Sequence, residues 1–291
     1  MSLFSFDDLK TPAHRTLRQE DRDRVILEEL NHNGFTSRLP NVDDPGREEV
    51  WERCWNDCAI NFFQNREPED LIPPYFTDSQ YINRFLGDYV TADDPQWLYH
   101  TWCALREQIF HKYLRDHPEI HEYGCGSGFN LVALNKLYPS KRLVGFDRST
   151  AAVQLVSRVR EVLEIDADLN GYGNDLTNPQ LYTADYSTVA VCTFGALEQV
   201  GWNWVPFVEM MLRVKPALCL HVEPVLELYD ESILFDWLAA RYHRARGYLR
   251  GFLPGLRQLE LQGKIDLVKV DRVKLGNRHT EGFSLIMWRP R

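Results

Sequence analysis

The sequence predicts an α/β fold built on a mostly parallel sheet, and three observations carry that expectation. From residue 118 onward, short apolar runs alternate with amphipathic stretches. The first of those runs ends in a glycine-rich turn, GCGSG at 124–128. The chain closes on two further apolar runs, KIDLVKVDRVKL and GFSLIMWRP, joined by the short, turn-rich GNRHTE. Parallel neighbours need long and usually helical crossovers, which the alternation supplies, whereas runs joined by so short a connection must be antiparallel.

Taken in order, EIHEYGC reads as a strand entering the glycines, NLVALNKLY as a helix, KRLVGFD as a second strand and TAAVQLVSRVREVL as a second helix. DADLNGYG and STVAVCTF are the third and fourth strands, VPFVEMMLRV a helix and ALCLHVEP the fifth strand. A helix-rich stretch from Asp230 to Leu261 precedes the terminal hairpin. The first hundred residues lack this rhythm and read as helical and irregular, with turns at LPNVDDPGRE (39–48) and EPEDLIPPYF (67–76). The expected organisation is a helical extension or lid over 1–105 and an α/β domain over 106–291. Aromatic residues crowd the extension, Trp51, Trp55, Tyr75, Phe76 and Trp102 among them; they fasten it to the larger domain, and some are candidates to line a pocket.

With 291 residues, 44% of them hydrophobic, the chain can fill one large core. A net charge of −9 repels phosphate backbones and acidic membrane surfaces, so neither nucleic acid nor membrane is an expected partner. No apolar run approaches the roughly 20 residues of a membrane span, and MSLFSFDDLKTPAHRTLRQEDRDR lacks the layout of a secretory signal. A cytoplasmic address is expected. The six cysteines are scattered, as suits reduced thiols; Cys54 and Cys58 share a helix face, but without further ligands they read as packing, and no metal is expected.

Bare backbone between a first strand and its helix lets a nucleotide-like ligand lie against exposed N–H groups, and Gly124, Gly126 and Gly128 would give that room. A dinucleotide fingerprint requires glycine where this chain has Phe129. Glu122, two residues before the loop, is unhelpful to a pyrophosphate but suits an ammonium or sulfonium group. Asp147 closes the second strand, where its oxygens could take the two hydroxyls of a sugar edge, and Asn174-Asp175-Leu176 follows the third strand, where an adenine could be met. Each acid has a plainer reading as a loop residue or helix cap. Three at successive strand tips favour a ligand.

EYGCGSG followed by VGFD and GND resembles the cofactor-binding series of class I methyltransferases that use S-adenosylmethionine: an acid, G-x-G-x-G, an acid closing the second strand, an acid after the third. The resemblance covers 118–291 and implies a three-layer, Rossmann-like, seven-stranded sheet whose terminal hairpin is antiparallel. It implies that Glu122, Gly124, Cys125, Gly126 and Gly128 face the methionine portion, Asp147 the ribose, and Asp175 with Leu176 the adenine; Arg148 is a further candidate for cofactor binding. Asp175 is preferred to Asp185 because it closes the strand-like segment. TFGALEQVG, after the fourth strand, resembles the segment that faces both cofactor and acceptor in this family, which brings in Phe194.

Glu198 and Glu223 are the candidate catalytic carboxylates, with His221 between them on the fifth strand. Their plainer readings are a turn cap, an arginine partner and a satisfied core histidine. In ARYHRARGYLRG, Tyr242, His243 and Arg246 form a basic aromatic cluster that could grip a substrate or simply face solvent. The expected function is methyl transfer from S-adenosylmethionine to oxygen or nitrogen of a small molecule. The alternatives are a non-catalytic regulator that keeps the nucleoside pocket and a nicotinamide-dependent oxidoreductase.

Overall fold

The computed structural model describes residues 11–31, 44, 46–77 and 81–291. The turn expected at 39–48 lies largely outside the described residues, as do the first ten residues of the N-terminal stretch read for a signal.

In chain order the elements are β1 (Arg15–Thr16), α1 (Gln19–Asn31), α2 (Gly46–Asn65), α3 (Pro74–Thr77), β2 (Ile82–Phe85), β3 (Asp88–Thr91) and α4 (Trp97–Ile109), followed by β4 (Glu119–Tyr123), α5 (Phe129–Leu137), β5 (Arg142–Asp147), α6 (Thr150–Val162), β6 (Leu169–Gly173) and β7 (Val189–Phe194). The chain ends with α7 (Val205–Val214), β8 (Leu218–Glu223), α8 (Leu234–Ala245), α9 (Phe252–Leu261), β9 (Ile265–Asp271), β10 (Leu275–Asn277) and β11 (Ser284–Pro290).

Seven strands form the main sheet in the order β6-β5-β4-β7-β8-β11-β9. β6, β5, β4, β7 and β8 run parallel to one another, and β11 enters antiparallel between β8 and β9. The α/β class and the reversed final strand are therefore as the sequence predicts. Strand periodicity sorts the inner residues onto two faces. Ile120, Ala190, Cys192, Leu218, Leu220, Leu285 and Met287 pack with Trp102, Leu105, Leu131 and Leu134 of α4 and α5. Val189, Val191, Cys219, Ile286 and Trp288 pack with Phe207, Met211, Phe252 and Leu256 of α7 and α9. Both faces are covered, which explains why these strands read as continuous apolar runs.

The extension holds more than helices. β2 and β3 form a hairpin across Leu86-Gly87, both with positive φ, and pair with β1 and β10 in a second, antiparallel sheet. No alternation announces it, because each hairpin strand has four residues and the fully buried Asn83 and Arg84 break the apolar pattern. Arg84 is satisfied inside the core: it donates to the carbonyls of Phe235 (2.9 Å) and Arg278 (3.2 Å) and lies over the Phe235 ring. KIDLVKVDRVKL, read as one strand, divides at 272–274, β9 joining the main sheet and β10 the small one.

Helix α2 lies on α6, where Trp55, Cys58 and Phe62 pack against Ala151, Ala152, Leu155 and Val159. Its acids fasten it to the tip of β5: Glu52 accepts the Ala151 N–H at 3.0 Å and Glu48 pairs with Arg148 at 2.8 Å. The carboxyl ends of β4, β5, β6 and β7 are thereby roofed by the extension.

Candidate functional site

Under that roof is a cavity of about 1350 Å3. Its floor is the set of strand tips: Glu122, Gly124, Cys125 and Gly126 at the end of β4, Asp147 and Arg148 at that of β5, Asp175 and Leu176 after β6, and Phe194, Gly195, Ala196, Glu198, Gln199 and Val200 at the end of β7. Pockets for single small molecules usually hold about 300–1,000 Å3, so this one has room for two ligands.

The glycines are bare for a reason other than the expected one. Gly124, Gly126 and Gly128 all have positive φ, which side chains resist, and a Cβ on each would strike protein: Ala196 Cβ at 2.3 Å, the Trp55 ring at 2.7 Å and Val156 Cγ2 at 2.8 Å. The loop is bare so that the segment after β7, helix α2 and helix α6 can close on it. Gly128 precedes α5 and does not line the cavity, a correction to the expectation that it faces the ligand.

Glu122 is fully buried at the cavity edge. Its Oε1 accepts from Asn130 Nδ2 at 2.8 Å, Asn130 Oδ1 in turn accepts from Arg106 at 3.0 Å, and Oε2 has no partner among the described residues. Burial pushes this carboxyl up to about 8 against the lowering effect of Asn130 and Arg106. A buried carboxylate oxygen without a donor, on the wall of a cavity, is what a cationic ligand group would satisfy.

Asp147 anchors the loop. Its Oδ2 accepts the Gly126 N–H and its Oδ1 the Ser149 N–H, both at 2.9 Å, while its carbonyl holds Asn174 of the third tip. Burial raises its carboxyl despite these bonds. Asp147→Ala leaves two buried N–H groups unpaired, each worth about 1–3 kcal/mol. Urea unfolding should show a loss of that order, and a stability within 0.5 kcal/mol of wild type, roughly the scatter of surface changes, would contradict this anchoring.

At the third tip, Asp175 Oδ1 accepts from the Thr177 N–H and hydroxyl at 2.8 Å each, and Leu176 is buried on the wall. Asp185 precedes β7, at the opposite, amino end of the sheet, and lies outside the cavity. Arg148 is exposed at the rim in its pair with Glu48. Cys125 is buried, with its thiol pushed well up by burial and the nearby Asp147 and Glu122.

Two of the three expected catalytic groups do not reach the cavity. Glu223, fully buried at the end of β8, accepts the N–H groups of Ala196, Leu197 and Glu198, all at 3.1 Å, and so seats the turn after β7. His221 is a satisfied core histidine: Trp288 Nε1 donates to its Nε2 at 2.9 Å, which leaves Nδ1 to donate to Thr193 Oγ1 at 3.0 Å. Burial lowers its imidazole to about 3, so it stays neutral. Glu198 does line the cavity; burial and the neighbouring Glu223 push its carboxyl up to about 8.

The expected substrate cluster divides likewise. Tyr242 is on the wall, stacked 4.9 Å from His279. His243 faces the core, donating from Nε2 to the Leu249 carbonyl at 2.6 Å, and burial lowers it to about 4. Arg246 is buried behind Tyr248, 5.8 Å from its ring, and does not line the cavity.

Sequence reasoning missed Arg47, Gln199, Tyr248, Asn277, Thr280 and Phe283, all of which line the cavity. The aromatic density of the extension was the available signal for its contribution, since Trp51, Trp55, Tyr75, Phe76 and Trp102 are on the wall. Phe194 stands 6.0 Å from Trp102, which stacks on Phe283 at 4.6 Å.

No protein-family model matches the sequence, and no curated protein matches it. Solved structures match the fold. The 4+2-cyclase SpnF aligns over 84% of this chain and 95% of its own at 12% identity and a TM-score of 0.55. Geranyl diphosphate C-methyltransferase from Streptomyces coelicolor A3(2), solved with Mg2+, geranyl diphosphate and S-adenosyl-L-homocysteine, aligns over 86% of this chain and 99% of its own at 13% identity and a TM-score of 0.50. The shared architecture is a Rossmann-like α/β fold. Among the described residues, no helix is long and apolar enough to cross a membrane.

Proposed function

We propose that the protein transfers a methyl group from S-adenosylmethionine to oxygen or nitrogen of a small molecule held in the same cavity. The observation that carries this reading is Glu122: a buried acid with one oxygen unpartnered among the described residues, beside a glycine loop, where a cationic cofactor end would lie. Glu122 takes the ammonium of the methionine portion, Asp147 adds the ribose hydroxyls to its two backbone bonds, and Asp175 with Leu176 meets the adenine. S-adenosylmethionine, when bound, supplies a methyl group already activated on sulfur. The chain's remaining work is to align an acceptor, exclude water and receive a proton.

The roof formed by α2 and the aromatic wall performs the exclusion, in keeping with a lid over residues 1–105 and a cofactor domain over 106–291. Glu198 is the acid on the acceptor side. The enclosed site suits a small acceptor in an acidic, cytoplasmic protein, with neither nucleic acid nor membrane as a partner.

Titration calorimetry with S-adenosylmethionine and S-adenosylhomocysteine tests the reading. Both carry the ammonium, so Glu122→Gln should weaken both by about 1.5–3 kcal/mol, the worth of a charge-assisted hydrogen bond. The sign of the pH effect follows from the raised carboxyl: at pH 6 Glu122 is protonated, a cation favours its ionised form, and wild-type affinity should therefore tighten toward pH 8 with release of a proton. Glu122→Gln should lose that slope. Absence of binding by either nucleoside at millimolar concentration rejects the reading.

One observation favours a second reading, a non-catalytic nucleoside-binding regulator: Glu223 and His221 are both engaged in structural bonds. Binding without turnover across an acceptor panel would select it. A nicotinamide-dependent oxidoreductase is disfavoured by Glu122 at the place a pyrophosphate would need.

A further inference from the structure

We propose that Gly282 is a specificity-determining residue of the acceptor half of the cavity, kept bare so that a flat apolar portion of the acceptor can lie against it. This deepens, and rests on, the proposed methyl-transfer function.

The glycines on the cavity wall divide by what an added Cβ would meet. At Gly124, Gly126 and Gly276 it would strike protein, the Thr280 carbonyl oxygen at 2.0 Å in the last case, so the fold itself demands glycine there. Gly282 also lines the cavity, yet its φ lies outside the left-handed region. Apart from its chain neighbours, no heavy atom of the described residues stands within 4 Å of the Cβ position. Neither backbone conformation nor packing therefore requires glycine at 282. A side chain there would project into open space, and the segment could not turn it aside. The Gly282 N–H is held by the Leu275 carbonyl at 3.0 Å, Glu281 before it is bonded to Arg272, and the Phe283 ring after it stacks on Trp102 at 4.6 Å.

The sheet puts this space at the acceptor end. The register Ser284↔Glu223 brings the start of β11 to the carboxyl end of β8, level with the tips that form the floor. In the strand order, β11 is three places from β4 and four from β5. At ~4.8 Å per strand, Gly282 is displaced roughly 14–19 Å along the sheet from the tips that carry Glu122 and Asp147.

The lining at this end is apolar. Phe194 and Val222 are paired neighbours at the tips of β7 and β8, Leu98 and Trp102 contribute from α4, and Phe283 completes the group. The backbone beside them is already paired, the Gly195 N–H with the Val222 carbonyl at 2.9 Å. Trp102 and Phe283 lie face to face and leave no room between them, so the relief in this wall is at Gly282 and not between the rings. None of the five side chains is charged. An ion or a polyol would lose its water there with little in return, whereas a flat hydrocarbon gains from burial.

The test is titration calorimetry of the full chain with 2-naphthol, a neutral flat probe, and with glucose as a polyol, each with and without S-adenosylhomocysteine. Wild type should bind 2-naphthol and not glucose. Gly282→Ala, Gly282→Val and Gly282→Leu should weaken 2-naphthol progressively, by at least ~10-fold at leucine, as filling an occupied space does. Affinity for S-adenosylhomocysteine should stay within ~2-fold throughout, and Gly282→Ala should keep or raise the urea midpoint, because it restricts the unfolded chain without strain. Undetectable 2-naphthol binding, preference for glucose, a 2-naphthol affinity unchanged in Gly282→Leu, or a lowered urea midpoint in Gly282→Ala would each overturn the proposal. So would a parallel loss of S-adenosylhomocysteine, since position 282 would then act on the whole cavity. Naphthol binding that depends on Gly282, in a chain whose wild type binds no S-adenosylhomocysteine, would instead reject the methyl-transfer reading and leave the site at Gly282 standing.

Discussion

Gly124→Ala should destabilise the protein by about 2–5 kcal/mol. Two costs combine. The residue sits at φ +73°, where an L side chain costs about 1–2 kcal/mol. The new Cβ would also lie 2.3 Å from Ala196 Cβ, a separation that something must relieve by moving. Ala196 cannot move cheaply, because its N–H and those of Leu197 and Glu198 are held by the buried Glu223 carboxylate. The loop after β4 and the turn after β7 are thus one unit, and displacing it moves both Glu122 and Glu198.

Gly124→Ala combined with Ala196→Gly separates the two costs. Removing the opposing methyl should recover the overpacking part, about 1–3 kcal/mol, and leave the backbone part. Urea unfolding of the four members of the cycle measures this directly. A single Gly124→Ala variant within 1 kcal/mol of wild type, or a cycle without coupling, would show that the two loops do not touch as described.

This pair also shows what the sequence could and could not disclose. GCGSG announces a loop that tolerates no side chains, but the reason for its bareness is tertiary: Ala196, Trp55 and Val156 come from distant segments. The inner strands β5, β7, β8 and β11 were legible because both their faces are buried and the runs are largely apolar. The hairpin at 82–91 was not, since four-residue strands containing a buried asparagine and arginine carry no usable period. Glu122, Asp147 and Asp175 were placed on the cavity by the simple rule that strand tips face one end. Glu223 and His221 lie on the same strand as tip residues, yet point to backbone donors and into the core, and nothing in a linear pattern distinguishes a carboxylate that serves a turn from one that serves a ligand. Glu198 and Glu223 illustrate the ambiguity most directly, because the second holds the first in place.

The second large effect is expected at Arg272, which joins two parts of the cavity wall to the turn at Leu228. Its guanidinium donates to both Asp236 oxygens, at 2.6 and 2.7 Å, to both Glu281 oxygens, at 2.7 and 2.9 Å, and to the Leu228 carbonyl at 3.2 Å. Asp236 opens α8, the helix that carries Tyr242, and Glu281 ends the turn that carries Asn277 and Thr280. Both acids are buried. Arg272→Met would leave two carboxylates facing each other without their cation, and breaking such a buried cluster typically costs about 3–5 kcal/mol.

The pH dependence distinguishes this loss from ordinary cavity formation. Burial alone would raise the Asp236 carboxyl, but the bonds and charge of Arg272, with the Asp230 N–H, outweigh it and hold the carboxyl below its usual value. A depressed carboxyl contributes stability that is present above its unfolded value, near 3.9, and disappears as pH falls through the folded one. Without Arg272 the balance reverses, burial prevails, and the variant should lose stability as pH rises from about 4 toward 7. The gap between wild type and Arg272→Met should therefore be widest near pH 7 and should shrink toward pH 4. A gap independent of pH would mean that packing of the arginine stem, and not its charge, secures α8 to the 277–281 turn.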